Sequence, residues 1–450
     1  MKTARAEAMK LRPLRLPPHE ARVLSNGLTL HVVTRPSLPL VAVRLVMRAG
    51  SAFDLPGQRG VADFAARLLR RGAGGLSADE ISETVELVGA AIGGYANEEN
   101  VVVSLSTPSK HLDAMLGVLA QLVLEPDFPE AEVELARRRT LAQLANELDD
   151  PGTLADRALA RAVWGQHPYA FDPSGGKADV ERLTRAQLEA FHASRLGPKV
   201  SHLYVVGDVD GERVASVVER LLGHWGGGPA FAPEVPAWSG LDKPGEVVIV
   251  DKPEQTQAQV RIGAPGVRRG HPDHFPVITM NAVLGGGFTS RLVTEIRVKR
   301  GLSYGASSSF DMLSAGGSFT VSSFTRTEGV ATLLDVALAE IERMRVKGPS
   351  AKELATVQRY ICGLYPGRLE TNEAVAGAIA DVVHYNLPED WIATYREHVS
   401  AVTVKQAAEA ARRHLPTTDR VITLVGNAEV LKPLVSRYGP ITVLRPSALE

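Results

Sequence analysis

Apolar and polar residues follow two different periods along this chain, and each period predicts a different element. Alternation rich in β-branched residues predicts strands over residues 28–33, 41–46 and 202–207. Apolar residues at helical spacing predict helices over residues 112–124 and 133–148. Because these strands and helices are segregated and do not alternate regularly as β–α–β units, we predict an α+β fold with largely antiparallel sheets and packed helices.

The order of these patterns repeats along the chain. Residues 183–187 match residues 402–406, and residues 205–208 match residues 424–427, both at a separation of 219 positions. The helical pattern that begins near residue 112 has a counterpart near residue 332, at about the same separation. A separation shared by three landmarks indicates a duplicated domain.

A stretch rich in glycine and proline lies between the two copies. Residues 223–244 lack periodicity and have the composition of a linker. At 450 residues the chain is also too long for a single core. We therefore predict an N-terminal extension over residues 1–20, a first domain over 21–222, the linker over 223–244, and a homologous second domain over 245–450.

Composition excludes several classes of function. The formal net charge of −1 gives no basic footprint for nucleic acid and no attraction to an anionic membrane. The single cysteine, Cys362, excludes an internal disulfide and a zinc site made of cysteines. The first residues lack the apolar core of a signal peptide, and no run of about 18 apolar residues is long enough to span a membrane. We expect a cytoplasmic protein, or a periplasmic one if a signal peptide has been removed.

Residues 59–72 are predicted to form a helix with an acidic and a basic residue on one face. Asp63 and Arg67 are four positions apart and share that face. A guanidinium is a permanent cation and cannot bind a metal ion. From the residues alone, this is a surface helix with one ion pair worth roughly 0.3–0.5 kcal/mol.

Several segments, spread from about residue 20 to about residue 430, follow one another in a recognisable order. They are L-S-N-G-L at 24–28 with R-A-G-S at 48–51, L-V-G-A-A-I-G-G-Y-A at 87–96, H-P-Y at 167–169 with G-G at 175–176, L-G-G-G-F-T-S-R-L at 284–292, and R-V-K-R-G-L-S-Y at 297–304. Together they resemble the pitrilysin/insulinase zinc metallopeptidases, a family that includes the subunits of mitochondrial processing peptidase.

The resemblance implies a zinc site that this sequence has lost. The family's H-x-x-E-H motif would place histidines at Asp63 and Arg67 and the catalytic glutamate at Ala66. The family's third ligand, a glutamate in a later helix, falls at or next to Gln143, and a neutral amide is a poor zinc ligand. Glu147 lies one helical turn further on and is not expected to bind metal. We therefore expect no metal or other cofactor in this chain and no peptide hydrolysis by the chain alone.

The resemblance also implies a retained pair of functional residues, Arg297 and Tyr304, which in this family complete the active site of an opposed zinc-bearing domain. Residues 291–299 are predicted to form a helix ended by Gly301, and residues 303–310 a strand. Both side chains can then face one point. A guanidinium and a phenol are suited to holding a peptide carbonyl and donating hydrogen bonds to an oxyanion.

Two glycine and histidine motifs have weaker signals. Gly285, Gly286 and Gly287 form either a turn at a helix end or a contact for the substrate backbone, and the sequence leaves both readings open. They do not form the long glycine-rich loop of the non-catalytic subunit of mitochondrial processing peptidase. The H-x-x-H pattern at residues 271–274 contains a proline and is predicted to be a loop or a helix start rather than a metal site.

The combined expectation is one half of a clam-shell. We predict the non-zinc-binding subunit of a heterodimeric zinc metallopeptidase, with the zinc in a homologous H-x-x-E-H partner. Arg297 and Tyr304 would act on a peptide or unfolded protein substrate held at the partner's zinc. The alternative is a structural or peptide-binding subunit with no catalytic role, and a homodimer that binds peptides without cutting them is a third reading.

Overall fold

The computed structural model describes Leu14 and residues 17–450, so most of the predicted extension lies outside the described residues. The first half contains a six-stranded sheet in the order β1-β2-β8-β3-β7-β6. Its strands are β1 (His19–Val23), β2 (Thr29–Thr34), β3 (Leu40–Met47), β6 (Ala91–Ala96), β7 (Val101–Pro108) and β8 (Ser201–Gly207), and a small hairpin adds β4 (Gly72–Ala73) and β5 (Leu76–Ser77). Its helices are α1 (Val61–Leu68), α2 (Ala78–Glu86), α3 (Leu112–Leu124), α4 (Glu130–Asp149), α5 (Pro151–Trp164), α6 (Lys177–Arg182), α7 (Arg185–Arg195) and α8 (Gly211–Leu222).

The second half contains a second six-stranded sheet, in the order β11-β12-β10-β13-β9-β14. Its strands are β9 (Val247–Asp251), β10 (Gln257–Pro265), β11 (Ala306–Met312), β12 (Gly317–Arg326), β13 (Val421–Gly426) and β14 (Ile441–Leu444). Its helices are α9 (His274–Leu284), a π-helix (Val293–Val298), α10 (Val330–Lys347), α11 (Ala351–Leu364), α12 (Asn372–His384), α13 (Trp391–Ala401), α14 (Val404–His414) and α15 (Ala428–Val435).

Most strand pairs are antiparallel, which confirms the predicted class. The exceptions are the parallel pairs β2–β8, β9–β13 and β9–β14. The predicted strands and helices are present with small shifts at their ends. The largest shifts, of three residues, are at the starts of α4, which begins at Glu130, and of β11, which begins at Ala306.

Helices α7 and α14 show the duplication in detail. Each begins with a capping box, made by Thr184 with Gln187 in α7 and by Thr403 with Gln406 in α14. In a capping box two backbone donors at the helix start are satisfied by side chains, so the same local sequence starts both helices. Because 219 positions separate the two threonines, the structure repeats at the separation that the sequence predicted.

The two halves exchange helices across their sheets. On α5, Leu154 and Ala158 pack against Val425 of the second sheet. On α12, Val375 and Ile379 pack against the first sheet. Each half therefore supplies a helix that covers the other half's sheet, an arrangement that the sequence patterns did not predict.

A buried carboxylate also joins the halves. Glu99 is only 2% exposed and accepts hydrogen bonds from Tyr169, from the backbone and hydroxyl of Ser314 at 2.8 and 2.9 Å, and from His384 Nε2 at 2.5 Å. Burial opposes ionisation of Glu99, but the hydrogen bonds from His384 and Tyr169 outweigh burial and lower its pKa to about 2. Ser314 and His384 belong to the second half, so this ionised group fixes the contact between the halves.

The segment between α8 and β9 has no helix or strand and runs along the first half. His167 Nε2 donates to the carbonyl of Pro236 at 2.8 Å, and the Trp238 ring lies 4.3 Å from the Trp164 ring. These contacts hold the glycine- and proline-rich stretch in place. In the described part of the chain, no helix is both long and apolar enough to cross a membrane.

Candidate functional site

Helix α1 carries Asp63, Ala66 and Arg67, the residues that the sequence resemblance aligns with the family's H-x-x-E-H motif. Its start is fixed by Asp54, whose carboxylate accepts the backbone N–H groups of Gly60 at 2.8 Å and Ala62 at 3.3 Å. Burial raises the pKa of Asp54 to about 7, although these hydrogen bonds oppose the rise. Phe64 and the small residues beside it are buried, which presses α1 onto the sheet.

Asp63 and Arg67 occupy the two histidine positions and bind each other. Arg67 Nε lies 2.8 Å from Asp63 Oδ2, and Arg67 Nη2 donates to Thr140 Oγ1 at 3.1 Å. The Nε contact is ionic rather than an aligned hydrogen bond, since Nε has no hydrogen-bond partner. Burial raises the pKa of Asp63, and the neighbouring Arg67 opposes that rise. A cation therefore sits where the family places a metal ligand.

Ala66, at the position of the catalytic glutamate, is fully buried. Strand β6 approaches it so closely that a Cβ atom on Gly94 would lie 2.2 Å from the Ala66 carbonyl oxygen. No acid–base group is present at this point of the helix, and the residues here do not fit a zinc ion.

The residue of α4 that contacts Arg67 is Thr140. Gln143, one turn further along, is exposed, and its amide donates to Glu147 Oε1 at 2.8 Å. Glu147 is in turn ion-paired with Arg157. Gln143, which the resemblance places at or next to the family's third ligand, has no hydrogen bond to the Asp63–Arg67 pair, whereas Thr140 accepts one from Arg67.

The H-x-x-H pattern lies at the start of α9, which confirms the predicted helix start. His271, Asp273 and His414 have ligand atoms within 4.8 Å of one another. The Asp273 carboxylate there is held by Arg413 at 2.7 Å and by His414 at 2.8 Å. This cluster acts as an ion-paired link between α9 and α14.

Arg297 and Tyr304 lie on either side of a sharp corner. The predicted helix over residues 291–299 has a π-helical part, Val293–Val298, and ends at Gly301, whose φ of +61° suits glycine. The Leu302 N–H donates to the Ile296 carbonyl at 3.0 Å, which closes the turn. The strand starts at Ala306 rather than at residue 303, so Tyr304 lies in the connecting turn.

The corner presents both side chains to one open groove. Arg297, Tyr304 and the three glycines line a groove of about 660 Å³ beside the edge strand β11. The Tyr304 side chain is 83% exposed, and the Arg297 guanidinium lies 4.9 Å from the centre of the Phe288 ring. Among the described residues neither side chain has a hydrogen bond or an ion pair. Both polar groups are therefore available to a ligand.

The three glycines have different structural requirements. A Cβ atom on Gly285 would lie 2.4 Å from Ser308 Oγ, and one on Gly286 would lie 3.0 Å from the Cα atom of Ala282. Both glycines also donate to the Asn281 carbonyl, so they form the turn that ends α9. A Cβ atom on Gly287 would lie no closer than 3.8 Å to a neighbour, so packing does not require glycine at this position.

Two family models match adjoining parts of the chain. A model described as insulinase (peptidase family M16) matches residues 31–171, and one described as peptidase M16 inactive domain matches residues 182–361. Together they span most of the chain, and they include α1 and the Arg297–Tyr304 corner.

Whole-chain relatives agree with these models. An uncharacterized zinc protease of Mycobacterium tuberculosis is 27% identical over 417 residues, which cover 90% of this chain and 93% of that protein. The Helicobacter pylori non-peptidase homolog YmxG is 25% identical over 397 residues, covering 87% and 90%. The crystal structure of a peptidase M16 inactive domain from Pseudomonas fluorescens superposes with a TM-score of 0.86 at 27% identity, covering 91% of this chain and 98% of that one. The chain belongs to peptidase family M16, the insulinase family, as a member of the non-catalytic type.

Proposed function

We propose that this chain is the non-zinc-binding subunit of a heterodimeric zinc metallopeptidase whose partner is a homologous H-x-x-E-H subunit. One observation carries the proposal. The metal positions hold an ion pair, whereas Arg297 and Tyr304 point into an open groove without partners among the described residues. A subunit with a purely structural role has no use for a half-buried arginine and an exposed tyrosine that have no hydrogen bond or ion pair among the described residues.

The chemistry of the pair suits a peptide carbonyl next to a partner's metal. In the partner, the motif glutamate would act as general base on a water polarised by the bound zinc. Arg297 would hold the substrate carbonyl, and the phenol of Tyr304 would donate a hydrogen bond to the oxyanion that forms. Loss of one such donor costs about 3–4 kcal/mol of transition-state stabilisation, or roughly 10²–10³ in rate.

The sheet edges suggest how a peptide is held. Strands β6 and β11 each end their sheet and leave one row of backbone groups unpaired within the sheet. An extended peptide can add to such an edge through backbone hydrogen bonds, with alternate side chains directed to each face. On β11 this would carry the peptide past Arg297 and Tyr304.

Cleavage of a quenched peptide library tests the proposal. The chain would be assayed alone, and then mixed with the H-x-x-E-H homologue from the same genome and zinc. Arg297→Ala and Tyr304→Phe would be compared with Arg300→Ala, whose side chain is already paired with Glu295, and with Tyr438→Phe. We expect no cleavage by the chain alone and cleavage by the mixture. Either site variant should lower the cleavage rate of the mixture about 100-fold or more.

The controls should stay within about twofold of the wild type. If the mixture cleaves peptides equally well with either site variant, this chain has no catalytic role and is a structural or peptide-binding subunit. Activity of this chain alone would contradict the assignment of the zinc to the partner.

A further inference from the structure

A basic cavity lies beside the former metal helix. It has a volume of about 320 Å³ and lies between α1, α4 and the edge strand β6. Its charged lining consists of Arg67, Arg70, Arg71 and Arg139 with a single acid, Glu132. Apolar side chains of α1, α4 and β6 complete the walls, so a ligand here would meet cations on an apolar floor.

The positive charge in this cavity is only partly compensated. Arg67 is paired with Asp63, and Arg71 lies 3.8 Å from Glu132. Arg70 and Arg139 have no hydrogen bond or ion pair among the described residues. Burial, and then the charge of Arg71, lower the pKa of Arg70, which indicates that its cation is incompletely solvated. An anion placed between these two guanidinium groups would relieve that cost.

The cavity opens beside a free strand edge. Gly93 and Gly94 of β6 line it, and Gly94 faces α1 so closely that no side chain fits there. A peptide added to β6 would direct every second side chain to the α1 face. A carboxylate on such a residue would therefore lie next to the arginines.

We propose that this cavity is a carboxylate-binding subsite that selects peptides carrying an acidic group, supplied either by an Asp or Glu side chain or by a free C-terminus. The inference rests on the proposed function, since it names the substrate class of a peptide-handling subunit. Arg70 and Arg139 would form charge-assisted, bidentate hydrogen bonds to the carboxylate. The turn that follows α1 and the facing side of α4 would thus be elements of specificity.

Fluorescence anisotropy of labelled peptides with the full chain tests the subsite. One series places Glu or Gln at each position of a neutral extended peptide, and a second compares a free C-terminal acid with its amide. The acidic member of at least one pair should bind about tenfold more tightly, with a preference that weakens as salt is raised. If only the first series shows this preference, the source is a side chain; if only the second does, the source is a C-terminus.

Variants assign the preference to the cavity. The double variant Arg70→Gln/Arg139→Gln should bind acidic and neutral peptides equally, whereas Arg138→Gln, an exposed neighbour outside the cavity, should keep the preference. Unfolding midpoints would verify that the variants are folded. Equal binding of both members of every pair by the wild type, or no binding at all, would overturn the subsite.

The two proposals fail separately. If cleavage by the mixture depends on Arg297 and Tyr304 but not on acidic groups in the peptide, only the proposed subsite is refuted. A preference for acidic peptides without such cleavage would remove only the catalytic assignment.

Discussion

Each half of this protein places a pair of polar residues beside an edge strand of its sheet, yet the two pairs are partnered in opposite ways. Beside β6, Asp63 and Arg67 neutralise each other and Arg67 also binds Thr140. Beside β11, Arg297 and Tyr304 remain without polar partners among the described residues. The first pair is satisfied by contacts within the chain, whereas the second pair is free to bind a group from outside the chain.

This difference distinguishes polar residues that stabilise the fold from polar residues that are available for function. Polar groups that are satisfied internally contribute to folding, and their loss should be seen in unfolding experiments. Polar groups left exposed contribute little to folding, and their loss should be seen only with substrate and partner. The following predictions are changes in the free energy of unfolding. They run from the contact that joins the two halves to the groups that contribute least.

Glu99→Gln should have the largest effect, because it removes the charge that joins the halves. The lowered pKa of Glu99 means that its ionised form stabilises the fold above the unfolded value of 4.5, and that this stability is lost as pH falls towards about 2. We expect a loss of about 3 kcal/mol at pH 7. Urea unfolding at pH 7 and pH 3 would measure it, and a variant equally destabilised at both values would contradict the linkage.

Arg67→Met should destabilise the chain by about 1–3 kcal/mol at neutral pH, because it leaves the Asp63 carboxylate, only 13% exposed, without its cation. The pKa of Asp63 is already raised by burial, so a further rise makes the folded state lose stability as pH increases through the carboxyl range. The cost should therefore shrink towards pH 3. Asp63→Asn serves as the control and should show no such pH dependence; a cost for Arg67→Met that is the same at every pH would refute the argument.

Gly94→Ala and Gly93→Ala form a matched pair in β6. The new Cβ at position 94 would lie 2.2 Å from the Ala66 carbonyl oxygen, whereas one at position 93 meets nothing within 4 Å. Overpacking should cost about 1–3 kcal/mol at position 94, and position 93 should change by no more than about 0.5 kcal/mol. Thermal unfolding of both variants is the measurement, and equal effects would mean that β6 does not press on α1.

Gly301→Ala should cost about 1 kcal/mol, because its φ of +61° is unfavourable for any residue with a Cβ. Gly363→Ala, in helix α11 with nothing within 4 Å, should instead be stabilising by up to about 1 kcal/mol. Opposite signs in chemical denaturation would support the assigned corner. A stabilising Gly301→Ala would mean that the turn between Arg297 and Tyr304 is formed differently.

Arg297→Ala and Tyr304→Phe should have the smallest effect on folding, within about 0.5 kcal/mol of the wild type. Tyr304 is 83% exposed, and its hydroxyl has no partner among the described residues. Differential scanning calorimetry would measure the change. A loss of more than about 1 kcal/mol in the free energy of unfolding would show that Arg297 and Tyr304 stabilise the fold. The contrast with the Asp63–Arg67 pair would then disappear.

Local patterns were sufficient for most of the fold. The alternation in β3 and the helical spacing of α3 are properties of neighbouring residues, and both elements formed where they were predicted. The repeated residues 183–187 and 402–406, noticed only as a match, turned out to start α7 and α14. The absence of H-x-x-E-H is a property of residues 63–67 of the sequence itself, whereas the assignment of these positions to a zinc site stays a prediction from the resemblance.

Contacts between distant segments were the part that could not be predicted. Thr140 opposite Arg67, the network around Glu99 and the exchange of α5 and α12 depend on how separate elements pack. The π-helical turn before Gly301 was also missed, because its wider hydrogen-bond ring leaves no distinctive residue pattern. The arginine cavity joins residues of α1 and α4 that are about 70 positions apart in the chain.

The exchanged helices set an order for folding as the chain is synthesised. The apolar face of the first sheet that contains Val33 and Tyr204 is covered by α12, which is translated long after that sheet is complete. The N-terminal half therefore exposes an apolar surface, and is prone to aggregate, until α12 has been synthesised and can pack on it. A gene cut within the linker would produce two polypeptides that each lack a cover for one sheet, and they should become soluble only when synthesised together.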